Sequence, residues 1–314
     1  MNIGPLRTQP VACFCLATGG LLGFTVAEAG AELLFQESFN YEAGGSLHGK
    51  AGGAGFDRTD IEYVGWKSSD DNQLIQGSLA YAGVQSSGHK VLSTAQGEQT
   101  EFRAERYLAR PISETDPNTQ FLWVSYLFQK DAAADRADKF GMRLHPQQSH
   151  PTNRLVFFGD QAETTAGPNN YGIEGSVQSS GGGAEPQIKA STDPAKSGEV
   201  TIGVTNFVVG RLTFNPQGTE TFDLFINPAP GVVPTTPDAS LSGFNLASVY
   251  YITFFGGNDV VIDDPSLSVI YQIDEIRGGT TYFDVVPEPS TALSLMLGFG
   301  LLVSRRRRSG VIGS

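Results

Sequence analysis

The sequence predicts an all-β protein folded as a two-sheet antiparallel β-sandwich. Short alternating or apolar runs recur between positions 33 and 285, separated by Gly, Pro, Asn and Asp, which is the pattern of strands joined by tight turns. No amphipathic run of about twelve or more residues lies between the two chain ends, so the crossover helices of a parallel sheet have no source. The 38 glycines and 17 prolines among 314 residues favour turns over a helical bundle.

Twelve segments read as strands in chain order: 33–39, 100–108, 121–129, 140–144, 155–158, 171–177, 200–205, 207–214, 221–226, 250–255, 269–276 and 281–285. The clearest alternation runs over 221–226, which places Phe222, Leu224 and Ile226 on one face. Gly44-Gly45, Gly52-Gly53 and Gly181 to Gly183 read as turns, because a phosphate cradle needs a following helix that is not there. Pro228-Ala229-Pro230 and Pro234 to Pro237 mark further turns, since proline cannot donate to a central ladder.

The ends differ from this body. Residues 1–31 read as a secretory signal peptide: Arg7, an apolar stretch over 11–26, then Ala27-Glu28-Ala29 or Ala29-Gly30-Ala31 as cleavage sites for signal peptidase. An uncleaved anchor is the alternative. Both cysteines, Cys13 and Cys15, lie in that stretch, so a mature chain holds no disulfide or zinc thiolate. At the other end Pro287-Glu288-Pro289 precedes an apolar run over 292–303, then Ser304 and Arg305, Arg306, Arg307 and Arg308. About twelve residues at ~1.5 Å each span roughly 18 Å, short of a ~30 Å hydrocarbon core, and the arginines favour the cytoplasmic side. The geometry suits a transient membrane stop in the inner membrane; an ordinary single-span anchor is the alternative.

This tail resembles the PEP-CTERM sorting signal recognised by exosortases of Gram-negative bacteria. The resemblance implies an exosortase as partner, cleavage near Pro287, Glu288 and Pro289, and delivery to the cell surface or an extracellular matrix. The expected organisation is therefore 1–31 signal peptide, 32–285 sandwich, 286–308 sorting signal and 309–314 cytoplasmic tail. Between the terminal signals, 16 basic and 31 acidic residues remain, a net of −15, which argues against a nucleic-acid partner.

Within the body, Glu37-Ser38-Phe39-Asn40-Tyr41 followed by Gly44-Gly45-Ser46-Leu47 resembles the opening of concanavalin A-like, laminin-G-like modules. Phe207 to Leu212 with Leu224 to Pro228, and Ile273 to Gly278 with Phe283-Asp284-Val285, resemble later strands of that module. The resemblance implies a jelly-roll sandwich over nearly the whole body, a fold shared by lectins, adhesion modules and glycosidases. Sandwich glucanases similar to it carry carboxylates at alternate positions of one strand, as a retaining mechanism needs. Here Gln272-Ile273-Asp274-Glu275-Ile276-Arg277 places two acids side by side, facing opposite sides of a strand.

No catalytic residue is singled out, and no nucleophile elbow is present. His48, His89, His145 and His150 form no metal-binding pair, and His145 reads as a loop residue. Asn258, Asp259, Asp263 and Asp264 supply hard oxygen ligands for calcium, although Asp-Pro is also a turn signal. No cofactor is required by any motif. For sugar stacking the candidates are Trp66, Trp123 and Tyr250-Tyr251; Trp66 is placed at a loop edge or in local packing, and Trp123 in the core.

The resulting expectation is a non-enzymatic exported protein that binds polysaccharide or serves as a matrix component. A glycan-active hydrolase with a nonstandard site and a purely structural spacer are the alternatives.

Overall fold

The computed structural model describes residues 31–57, 64–69, 72–96, 101–116, 119–132, 138–146, 156–161, 170–176, 187–191, 200–258 and 268–286. The chain divides into two units, Met1–Gly30 and Ala31–Ser314, and every described residue lies in the second. Its strands in chain order are β1 (Leu33–Glu37), β2 (Lys67–Ser68), β3 (Asn72–Gln76), β4 (His89–Gln96), β5 (Glu101–Ser113), β6 (Phe121–Ala132), β7 (Asp138–His145) and β8 (Val156–Gln161). They continue with β9 (Asn170–Ser176), β10 (Gln187–Ser191), β11 (Thr205–Thr213), β12 (Glu220–Ile226), β13 (Ala239–Phe244), β14 (Ser248–Asn258) and β15 (Ser268–Gly279). One turn of helix, α1 (Tyr282–Val285), closes the described chain.

Two antiparallel sheets face each other. The eight-stranded sheet runs β13-β12-β11-β6-β15-β4-β3, with β1 also paired to β15; the seven-stranded sheet runs β10-β9-β8-β7-β14-β5-β2. Strand β15 pairs with β6 along one edge, and a bulge lets its other edge serve two partners: residues 268–273 pair with β4 and 276–279 with β1. At the bulge Glu275 takes φ 46, which reverses the local side-chain direction.

The inner faces meet in a core that includes Tyr126, Phe128, Phe140, Phe158, Phe222 and Phe254. Alternation along β12 buries Phe222, Leu224 and Ile226 in that core, as the spacing predicts. A second apolar layer covers the outer face of the eight-stranded sheet, where Trp123, Leu127, Phe207, Val209 and Phe225 pack under Leu79, Val84, Tyr282, Val285 and Val286. Strand β6 is therefore covered on both faces, which is why its sequence is an almost unbroken apolar run. Trp123 stacks on Phe225 at 5.8 Å and is 4% exposed.

Two predicted strands are corrected. Residues 200–204 form a turn and the strand begins at Thr205. Residues 282–285 are helical: the buried Tyr282, Val285 and Val286 fall at helical spacing, and the Thr281 N–H donates to Asp284 Oδ2 at 2.8 Å in a capping arrangement. Five strands escaped sequence periodicity, β2, β3, β4, β10 and β13; all but β4 are ends of the two sheet paths, and β4 lies next to the end strand β3. Edge strands are short and polar, so their pattern is weak.

No helix among the described residues is long and apolar enough to cross a membrane. The signal-peptide residues 1–30 and the sorting-signal residues 287–308 lie outside the described residues.

Candidate active site

Period-2 alternation gives the seven-stranded sheet an outer face rich in polar groups. Strand β5 turns Ala104, Arg106 and Leu108 inward, so Arg103, Glu105 and Tyr107 face outward; β7 turns Phe140, Met142 and Leu144 inward and presents Lys139, Arg143 and His145. On β14 the inward Ile252 and Phe254 leave Tyr251, Thr253 and Phe255 outside.

Antiparallel register sorts these side chains into rows that cross the strands. One row holds His145, Tyr251 and Tyr107 on β7, β14 and β5. The next crosses all seven strands as Lys189, Glu174, Phe157, Arg143, Thr253, Glu105 and Lys67. A third contains Gly172, Gly159, Gly141, Phe255 and Arg103. Those glycines leave room for flat side chains: a Cβ on Gly141 would lie 2.9 Å from the Phe157 ring and one on Gly172 2.3 Å from the Gln161 amide.

The aromatic row is tightly stacked. His145 lies on Tyr251 with ring centroids 4.2 Å apart and planes 8° from parallel, and Tyr107 approaches the same tyrosine at 4.9 Å. Burial, reinforced by the guanidinium charges of Arg143 and Arg103, holds the His145 pKa down at about 3. Burial also pushes Tyr251 up to about 12, with Glu105 and Tyr107 acting in the same sense. At neutral pH the imidazole is therefore uncharged and the phenol keeps its proton. His145 Nε2 and Thr253 Oγ1 are buried and have no hydrogen-bond partner among the described residues.

Cations flank this row. The Arg143 guanidinium carbon sits 3.2 Å from the centroid of Phe255, which fixes it beside Thr253. Lys139 reaches across Phe157, 4.3 Å above the ring, to pair with Glu174, whose other oxygen lies 2.7 Å from Lys189. Lys67 lies 3.2 Å from Glu105. A neutral imidazole, a protonated phenol and a guanidinium on one face supply a proton acceptor, a proton donor and a charge clamp.

The sequence-derived candidates fall elsewhere. Trp66 is 1% exposed, its indole N–H donates to Glu37 at 3.1 Å, and its ring meets Phe254 at 5.2 Å. This corrects its assignment as a sugar-stacking group: Lys67, the next residue, takes the outward position and turns Trp66 into the core. The calcium candidates Asp259, Asp263 and Asp264, and the side chain of Asn258, lie outside the described residues. Among the described residues no cluster of three or more potential metal ligands occurs. Pro287, Glu288, Pro289 and Arg305 to Arg308 also lie outside them.

Asp274 and Glu275 are buried and act as anchors. Asp274 accepts the Leu79 N–H at 2.8 Å, and Glu275 accepts the Ser87 N–H at 2.7 Å, which holds residues 77–88 over the second apolar layer. His145 is the last residue of β7, not a loop residue. Of the aromatic candidates, Tyr251 is the one that reaches the polar face.

No protein-family model matches the chain, and no curated protein matches it. Among solved structures, an endo-β-1,4-glucuronan lyase from the fungus Trichoderma reesei shares the fold, with a TM-score of 0.50 and 12% identity over 82% of this chain and 99% of that one. The alginate lyase Aly36B aligns over 77% of this chain and 95% of its own at 12% identity and a TM-score of 0.48. The expectation of a non-enzymatic body is corrected here. Missing paired carboxylates argued only against glucanase-type hydrolysis, whereas the scaffold is one on which a polysaccharide lyase is built, and its outer face gathers acid–base groups that the glucanase motif does not include.

Proposed function

We propose that this protein cleaves an acidic, uronate-containing polysaccharide by β-elimination on the outer face of the seven-stranded sheet. The observation that carries the reading is the stack of an uncharged His145 on a protonated Tyr251 beside Arg143. The fold shared with the glucuronan lyase supports the same class of chemistry.

Elimination beside a carboxylate has three requirements, and each has a side chain here. Arg143 pairs with the substrate carboxylate and stabilises the charge that develops when the adjacent carbon loses its proton. His145 accepts that proton through its unpartnered Nε2, which is covered in the free protein and becomes accessible as the polymer seats on the face. The electron pair forms a carbon–carbon double bond as the glycosidic bond breaks, and Tyr251 protonates the departing glycosidic oxygen. No water is consumed. Substrate binding also tunes the base: a carboxylate paired with Arg143 offsets one of the positive charges that depress His145, so the imidazole gains basicity when substrate is present.

The test is incubation of the folded domain with polyglucuronate and with alginate, followed by mass spectrometry of the fragments. Elimination gives fragments whose masses sum to the parent and one unsaturated end per cut. Fragments carrying the mass of added water would establish hydrolysis, and intact polymer in every case would sink the reading.

The terminal sequences support an export route for this activity. Residues 1–31 serve as a signal peptide, and Pro287-Glu288-Pro289 with the apolar run and arginines serves as an exosortase-type sorting signal. The described fold runs through the buried Val286, so cleavage at or beyond Pro287 leaves the sandwich whole. Intact mass of the native protein checks this: a species retaining Arg305 to Arg308 would refute tail removal.

A further inference from the structure

Beyond the reacting row, at the β2 edge of the same face, Lys67, Ser68, Ser69 and Arg103 line a cavity of about 430 Å³. Its wall is fixed from behind. Asn72, fully buried, donates to the Arg103 carbonyl at 3.2 Å and to Ser69 Oγ at 3.1 Å, while the Ser69 N–H donates to the same carbonyl at 3.1 Å. Ser93 closes the arrangement by donating to Asn72 Oδ1 at 2.5 Å. The short edge strand and the turn after it are thereby locked to the backbone of β5 at Arg103.

The charges in this cavity are unequal. Lys67 is matched by Glu105 at 3.2 Å, so that pair is close to neutral. The exposed Arg103 side chain has no hydrogen-bond or ion-pair partner among the described residues, and it gives the described lining a net positive charge inside a body of net −15. A guanidinium and two serines lining one cavity supply the donor types that a carboxylate accepts from. Strand β2 is three strand spacings from β7, or about 14 Å, so a chain crossing the strands reaches this cavity several atoms beyond the bond that reacts at His145.

We infer that Arg103, Lys67, Ser68 and Ser69 form a separate subsite that binds the carboxylate of a uronate residue remote from the scissile bond, making occupancy of the groove dependent on a run of charged sugars. The inference rests on the proposed lyase reading for the direction of the chain, but its binding step needs no turnover. It also gives Arg103 a double position: its charge helps depress His145, so a carboxylate held in this cavity lowers the local field at the base.

The experiment is titration calorimetry on the folded domain carrying Tyr251→Phe, with a glucuronate hexasaccharide, its carboxyl-reduced neutral counterpart and a glucuronate disaccharide as probes. Adding Arg103→Gln is expected to weaken hexasaccharide binding at least tenfold and to leave the disaccharide unaffected, with Lys67→Ala acting in the same direction and Arg103→Lys restoring part of the loss. The wild-type cavity is expected to favour the charged hexasaccharide over the neutral one, with the preference shrinking as salt is raised. Equal affinity of the folded Arg103→Gln and Lys67→Ala proteins for the hexasaccharide would overturn the subsite, as would equal binding of charged and neutral probes. Persistent cleavage by the Tyr251→Phe protein would instead refute the proposed catalytic pair and leave the binding comparison intact.

Discussion

Replacing Tyr251 with Phe removes one oxygen and little else. The ring keeps its stack on His145 at 4.2 Å and its contact with Tyr107 at 4.9 Å. No hydrogen bond to the phenol oxygen is made among the described residues, so stability is expected to change by no more than about 0.5 kcal/mol. The catalytic consequence is far larger. A positioned general acid contributes roughly 10²–10⁴-fold, which is about 2.7–5.4 kcal/mol of transition-state stabilisation. Because the proton moves only as the glycosidic bond breaks, kcat and kcat/KM should fall by the same factor while KM holds. The assay is the ultraviolet absorbance of the new double bond, followed on the polymer that the wild-type domain cleaves, with thermal unfolding measured on the same preparation. A Tyr251→Phe protein within threefold of wild-type activity would refute the assignment, and so would a loss of activity matched by a loss of fold.

Since burial and two arginines hold His145 near 3, the acid limb of kcat/KM should lie well below the ordinary histidine value of 6.5, and a limb near 6.5 would show that the base is elsewhere. Arg106 is fully buried between Glu37 at 2.5 Å and Asp57 at 2.9 Å; Arg106→Met strands the Glu37 charge and should cost about 3–5 kcal/mol in denaturant unfolding, whereas a change below ~1 kcal/mol would mean the network is not formed. Burial pushes Asp274 up to about 8 from an ordinary 3.8. The folded chain therefore holds a proton that the unfolded chain releases, and stability is full below about 4 and declines as pH rises to about 8. Asp274→Asn should flatten that slope in thermal unfolding across the same range, and an unchanged slope would assign the pH dependence to other groups.

The strands that periodicity revealed are mainly those inside the sheets, such as β6, β11, β12 and β14, where apolar side chains must cover one or both faces. The path ends β2, β3, β10 and β13, and the largely polar β4 beside β3, carry too few apolar residues to register. The site was harder to see for a related reason. Arg103, Glu105 and Tyr107 on β5, and Lys139, Arg143 and His145 on β7, do show polar residues at every second position or its multiple, which marks an outward face. Nothing local says that Tyr251 lies opposite both His145 and Tyr107. Trp66 and Lys67 show how fine the margin is, since a shift of one residue exchanges the core side for the groove side.

Taken alone, the order of the residues determined the all-β class, most central strands, the core face of β12 and the absence of a glucanase carboxylate pair. These are local properties, fixed by which side chains must leave water within a few residues of one another. Only the tertiary structure decided that Asp274 and Glu275 are anchors, that Trp66 is core, and that His145, Tyr251 and Arg143 share one face. Those positions come from strands separated by about a hundred residues and meet through antiparallel register, and register is set by the packing of both sheets at once, not by any segment in isolation.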